Sequence, residues 1–85
     1  MMSTALTFEE LARLMKTAGV TVTPEELEKA PDTPFSNHGL DSLGLLGIVG
    51  ELENEYSISL PTDAERCKTP GAFVTLVNNA LKTGV

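Results

Sequence analysis

The stretch Gly39-Leu40-Asp41-Ser42-Leu43-Gly44-Leu45-Leu46-Gly47-Ile48-Val49-Gly50-Glu51-Leu52-Glu53-Asn54-Glu55-Tyr56 carries the longest helical pattern in the chain. At about 100° per residue, Leu45, Ile48, Val49, Leu52 and Tyr56 fall on one side, with Leu46 at its border. The opposite side holds Leu43, Gly47, Gly50 and Asn54, flanked by Gly44 and Glu51. One apolar side predicts a helix from Ser42 to Tyr56 that buries that side against other helices. Ser42 stands where this helix begins, so its hydroxyl is expected beside unpaired backbone N–H groups at the positive end of the helix dipole. Such a place suits a phosphate ester. The same position also suits a plain N-cap, which is the commoner use of a serine there, and on local chemistry alone the cap is favoured.

The glycines of this helix are the second anomaly. Each costs about 0.8–1.0 kcal/mol relative to alanine, so Gly44, Gly47 and Gly50 together give up about 2–3 kcal/mol. That is a sizeable fraction of a small domain's stability. Either tertiary packing overrides helix propensity here, or the broken local rule marks a surface that another molecule approaches closely.

Outward from this helix, the flanking segments read as further helices. Thr7-Phe8-Glu9-Glu10 has the form of a capping box, and Phe8, Leu11, Ala12, Leu14, Met15 and Ala18 recur at helical spacing. Gly19 follows where a C-terminal glycine is expected, so the first helix is predicted over residues 7–18. Val20-Thr21-Val22 alternates, but no second alternating segment exists to pair with it, and it reads as an extended connector. Thr23-Pro24-Glu25-Glu26 starts a second helix, kept short by Pro31 and Pro34. Residues 31–41 form a loop whose apolar anchor is Phe35; its length allows the helix at Ser42 to present its N-terminus to solvent. Ser57 to Pro61 is an extended link, and Thr62-Asp63-Ala64-Glu65-Arg66 offers a cap and one or two turns. Thr69-Pro70 opens the last helix, in which Phe73, Leu76, Val77, Ala80 and Leu81 share a face and Gly84 ends the pattern. The expected fold is all-α: a small four-helix bundle of three main helices and a short one, in a single domain over 1–85 with its core at about 7–82.

Composition limits the chemistry. A chain of 85 residues without tryptophan builds a small core from Leu, Val, Ile, Phe and Met. No apolar run is long enough to span a bilayer, and the N-terminus lacks the basic-then-apolar order of a signal peptide. The single cysteine, Cys67, rules out an internal disulfide and fits a reducing cytoplasm. One Cys and one His cannot make a zinc site. His38, Asp41 and Ser42 invite a triad reading, but three side chains so close along one loop rarely face one another in the required line, and 85 residues leave little room for a substrate pocket. Catalysis by this chain is not expected.

Net charge is −6, and all of the excess lies in the middle of the chain. Between Lys29 and Arg66 stand Asp32, Asp41, Glu51, Glu53, Glu55, Asp63 and Glu65, with no basic residue among them. A one-signed surface steers oppositely charged partners and repels polyanions, so nucleic acid is disfavoured and a basic protein partner is favoured.

An acidic mini-bundle with an exposed serine at a helix start resembles the acyl carrier proteins. Gly39-Leu40-Asp41-Ser42-Leu43 is similar to their D-S-L attachment motif, and the likeness extends from Phe8 to Leu81. Asp41-Ser42-Leu43-Gly44-Leu45-Leu46, Leu52-Glu53-Asn54-Glu55-Tyr56 and Lys68-Thr69-Pro70 resemble the discrete carriers of type II (aromatic) polyketide synthases, and within them the spore-pigment branch. The resemblance implies that Ser42 receives 4′-phosphopantetheine from coenzyme A, and that malonyl units and the growing polyketide ride on the arm as thioesters. It implies a phosphopantetheinyl transferase, a malonyl transferase, a ketosynthase with its chain-length factor, and a ketoreductase or cyclase as partners of a monomeric cytoplasmic carrier. Asp41, Leu43, Gly44, Gly47, Gly50, Glu51 and Glu53 would form the surface that these partners read. The chain departs from the family pattern twice. His38 replaces an apolar residue, which implies different loop packing and some pH sensitivity, and Gly47 stands where many relatives have a glutamate, which shifts recognition toward Glu51, Glu53 and the glycine stripe. A fatty-acid or peptidyl carrier shares the tether and differs in cargo or partners; an unmodified helical adaptor would use the glycine face alone.

Overall fold

The computed structural model describes residues 5–83, and among them no strand occurs. Four helices follow in order: α1 (Phe8–Thr17), α2 (Pro24–Lys29), α3 (Ser42–Tyr56) and α4 (Pro70–Thr83). Two short 3-10 turns, Phe35–His38 and Thr62–Arg66, lie before and after α3. Gly84, expected to end α4, lies outside the described residues.

The start signals work largely as read. The Thr7 hydroxyl accepts from the Glu10 N–H at 3.1 Å. The return bond of a capping box is absent there, because the Glu10 carboxylate instead takes the Tyr56 hydroxyl at 2.9 Å and Arg13 at 3.4 Å. The complete capping box is at Thr23, whose hydroxyl and backbone N–H both engage Glu26 at 3.1 and 2.9 Å. Thr69 caps α4 by accepting from the Ala72 N–H at 3.1 Å. Thr62 makes no cap, and Pro61 leads directly into a 3-10 turn.

Leu11, Leu14 and Met15 of α1, Leu27 of α2, Leu45, Ile48, Val49 and Leu52 of α3, and Phe73 and Val77 of α4 meet in one core. Phe35 anchors the 31–41 loop as expected, with its ring edge-on to Phe73 at 6.0 Å between centroids. The core also reaches one residue beyond the predicted start. Leu6 is buried, and Asn78 clamps its backbone by accepting from its N–H at 2.6 Å and donating to its carbonyl at 3.1 Å.

The end of α3 is held by Glu53, which the acidic pattern placed among the partner contacts. One of its carboxylate oxygens accepts from the Leu60 N–H at 2.8 Å, and its carbonyl accepts from Ile58 at 3.1 Å. Glu53 is thus half-buried, with one carboxylate oxygen engaged in turning the chain back. Ser57 makes this turn with φ of 55°, the one non-glycine residue in the left-handed region among those described. Tyr56 ties the same end to α1; burial and its hydrogen bond to Glu10 push its phenol up to about 12.

A candidate attachment site at the start of α3

The approach to α3 is a sequence of fixed turns. Phe35–His38 coils once, and Gly39 reverses the chain with φ of 88°, a backbone state that disfavours any side chain. Leu40 then drops into the core, and Asp41 stands in extended conformation as the N-cap of α3. Its Oδ1 accepts from the Gly44 N–H at 2.7 Å, and its carbonyl accepts from the Leu45 N–H at 3.0 Å. The expectation of Ser42 as cap is therefore corrected. The aspartate one residue earlier has the same reach to the third helical N–H, and it adds a negative charge at the positive end of the dipole.

That shift changes what Ser42 is free to do. As the first helical residue it is exposed, and its hydroxyl has no hydrogen-bond partner among the described residues. The N–H groups of Ser42 and Leu43 at the helix mouth are likewise left unpaired. Ser42 Oγ is a nucleophile held at the surface next to donors suited to phosphate oxygens. Leu43 beside it is 75% exposed and Leu46 44% exposed.

The glycines divide into two kinds. A Cβ at Gly44 would lie 2.6 Å from Leu40 Cδ1 and 3.2 Å from Asp41 Oδ1, so this glycine makes room for the buried leucine and the cap. A Cβ at Gly47 or Gly50 would meet nothing within 4 Å. Nothing inside the described chain requires those two glycines. They face outward with Glu51, while Gly44 is half-buried.

Two depressions adjoin the helix start. A cleft of about 590 Å³ opens beside Ser42, walled by the buried Phe35, Leu40 and Leu45 and rimmed by Arg66, Cys67 and Lys68. A second groove of about 460 Å³ runs on the α1 side, between Thr17 and Ala18 and the face bearing Leu43, Gly47 and Glu51. Asp41 borders both.

A catalytic triad at this serine finds no geometry. The Asp41 carboxylate is occupied by the cap, His38 Nε2 is buried without a partner, and no hydrogen bond joins either to Ser42. Among the described residues no proton relay reaches Ser42. Cys67 donates its thiol to the Asp63 carbonyl at 3.5 Å, and burial, aided by the Asp63 charge, pushes the thiol up, away from the reactive thiolate. Among the described residues no cluster of three or more His, Cys, Asp or Glu side chains could hold a metal, and no helix is long and apolar enough to cross a membrane.

Residues 9–77 match the family model described as a phosphopantetheine attachment site. The chain belongs to this family. It is 62% identical over 81 residues to a probable acyl carrier protein of Streptomyces coelicolor, covering 94% of this chain and 90% of the relative. It is 56% identical over 82 residues to the curamycin polyketide synthase acyl carrier protein of Streptomyces cyaneus, covering 95% and 93%. Its fold superposes, with a TM-score of 0.78 and 31% identity, on the solution structure of the 3,5-dioxohexyl carrier from the actinorhodin polyketide synthase of Streptomyces coelicolor, over 99% of this chain and 100% of that one. The protein is an acyl carrier of the polyketide synthase type, and its cofactor is 4′-phosphopantetheine. The start of α3 fits that group on physical grounds: an unpartnered exposed hydroxyl, free N–H donors beside it and an apolar-walled cleft alongside. What the sequence missed was the division of labour between Asp41 and Ser42. The signal was there, since aspartate is as good a cap as serine.

Proposed function

We propose that Ser42 is the residue of this carrier that takes the 4′-phosphopantetheine arm, and that the chain itself performs no catalysis. The observation that carries this reading is the free Ser42 hydroxyl at the first position of α3, with the cap supplied by Asp41. When bound, the arm supplies a terminal thiol on which malonyl units and the lengthening polyketide are held as thioesters. The rest of the work belongs to the protein. Asp41 fixes the helix mouth so that the serine points to solvent, and the unpaired N–H groups of Ser42 and Leu43 face the charge of a phosphodiester. Leu43, Gly47, Gly50 and Glu51 form the face presented to partner enzymes: an apolar contact, a backbone open to close approach and a charge that steers. Brief, reversible docking suits such a surface, because electrostatics raises encounter rates more than affinity. The tether in turn holds the cargo at high effective concentration near each active site.

In this reading the carrier is a cytoplasmic monomer served by a phosphopantetheinyl transferase, a malonyl transferase, a ketosynthase with its chain-length factor, and a ketoreductase or cyclase. The test is intact mass after incubation with coenzyme A, magnesium and a broad-specificity phosphopantetheinyl transferase. One phosphopantetheinyl addition to the wild type and none to Ser42→Ala is the expected result. Addition that survives in Ser42→Ala would move the attachment elsewhere.

A further inference from the structure

The acidic middle of the sequence suggests a docking face of one sign, but the fold brings two cations to it. Arg66 and Lys68 are the first basic residues after Lys29, and they rim the cleft that Ser42 shares. Both are exposed, and neither is in an ion pair; among the described residues the pairs are those of Arg13 with Glu10 and Glu55. Their backbone is fixed relative to the attachment site. The Phe35 N–H donates to the Lys68 carbonyl at 2.7 Å, and the Gly71 N–H donates to the Pro31 carbonyl at 2.9 Å. A Cβ on Gly71 would lie 3.0 Å from Pro31 Cβ, so the two segments are in close contact. Ala64, fully buried in the 3-10 turn that ends at Arg66, seats this turn in the core.

The two depressions meeting at Asp41 therefore differ in charge. The charged residues lining the groove on the α1 side are both acids, Asp41 and Glu51. The cleft on the other side contains Asp41 and Glu65 but also Arg66 and Lys68. We propose, resting on the reading of Ser42 as the attachment point, that this face is bipolar: its enzyme partners set basic residues against Asp41 and Glu51 and an acidic side chain against Arg66 and Lys68. A partner that docks over the two depressions meets both sets, and exposed charges act on its surface within the ~8 Å screening length. A uniformly basic partner would be repelled at Arg66 and Lys68, whereas one carboxylate there turns repulsion into attraction. Cations confined to one side of Ser42 also define a direction. They fix the rotation of the carrier about the arm, which a single-signed face leaves free.

The experiment uses the full chain as wild type, Arg66→Glu/Lys68→Glu, Arg66→Gln/Lys68→Gln and Glu51→Lys. Each is first converted to the holo form with saturating broad-specificity transferase and checked by intact mass. A wild type that takes up no arm ends the attachment reading at this step, before the bipolar face is tested. The holo proteins are then charged from malonyl-coenzyme A by a malonyl transferase of a type II polyketide synthase, at about 20 mM and about 500 mM salt. At low salt the charge-reversed pair is expected to lose about tenfold in kcat/KM, chiefly through KM, and the neutral pair about two- to threefold. Glu51→Lys falls in the same direction, and all differences shrink at high salt. The Gln pair, which adds no acidic charge, carries the test if the reversed pair unfolds. Unchanged kcat/KM in the basic-site variants would overturn the proposal. A higher kcat/KM would overturn it too, as the signature of a partner that is basic throughout.

Discussion

If Gly47 and Gly50 serve the partner surface and not the fold, replacing them with alanine must stabilise the protein. Both lie in the interior of α3, and a Cβ at either position meets no atom within 4 Å. The substitution then has no steric cost and recovers the backbone term of about 0.8–1.0 kcal/mol per site. Gly47→Ala/Gly50→Ala should gain about 1.6–2.0 kcal/mol if the two add. For a domain this small that is roughly 6–16 °C in Tm, or a urea midpoint higher by about 1–2 M at unchanged m. Gly44→Ala is the internal control. Its Cβ would press on Leu40 Cδ1 and on the capping oxygen of Asp41, so overpacking of about 1–3 kcal/mol offsets the same propensity gain. Urea titrations of the three variants, followed by circular dichroism, read the difference. The division of the glycines is refuted if Gly47→Ala and Gly50→Ala fail to stabilise, or if Gly44→Ala stabilises as much as they do. In the holo form the stabilised double variant should be slower with its partner enzymes, because the face has gained two methyl groups where the backbone was open.

Separating cap from attachment gives a second pair of outcomes. Asp41→Ala loses the bond to the Gly44 N–H and should cost about 1 kcal/mol in chemical denaturation, whereas Ser42→Ala should stay within about 0.5 kcal/mol of wild type while losing all phosphopantetheine uptake. Tyr56 supplies a pH dependence. Its phenol binds its proton more tightly in the folded state, so its contribution is fully present below pH 10 and is lost as pH rises toward about 12. Thermal unfolding across that window should show this slope in the wild type and a shallower one in Tyr56→Phe. Asn78→Ala removes both bonds to the Leu6 backbone and leaves the buried Leu6 N–H without its partner, a loss of about 1–3 kcal/mol accompanied by faster hydrogen exchange at Leu6.

The starts of α1, α2 and α4 were legible because caps and prolines act within one turn. Thr7, Thr23 and Thr69 each satisfy the N–H group three residues ahead, and no distant residue is needed for that. The buried face of α3 was legible for the same reason, since a 3.6-residue period is a property of the local chain. Contacts between distant residues were not. The Glu10 carboxylate left its expected capping box for Tyr56, and the Glu53 carboxylate accepts from the Leu60 N–H seven residues on.

By itself, then, the sequence determined the helices, the single apolar core and the serine at the mouth of α3, because periodicity and end signals depend on near neighbours. Only the tertiary structure decided which glycines are spacers and which are open, since that rests on Leu40 lying beneath Gly44 and on nothing lying over Gly47 and Gly50. It alone brought Arg66 and Lys68 beside Ser42. Charge along a chain is ordered by covalent neighbours, whereas the field a partner meets is the sum over what folding places together in space.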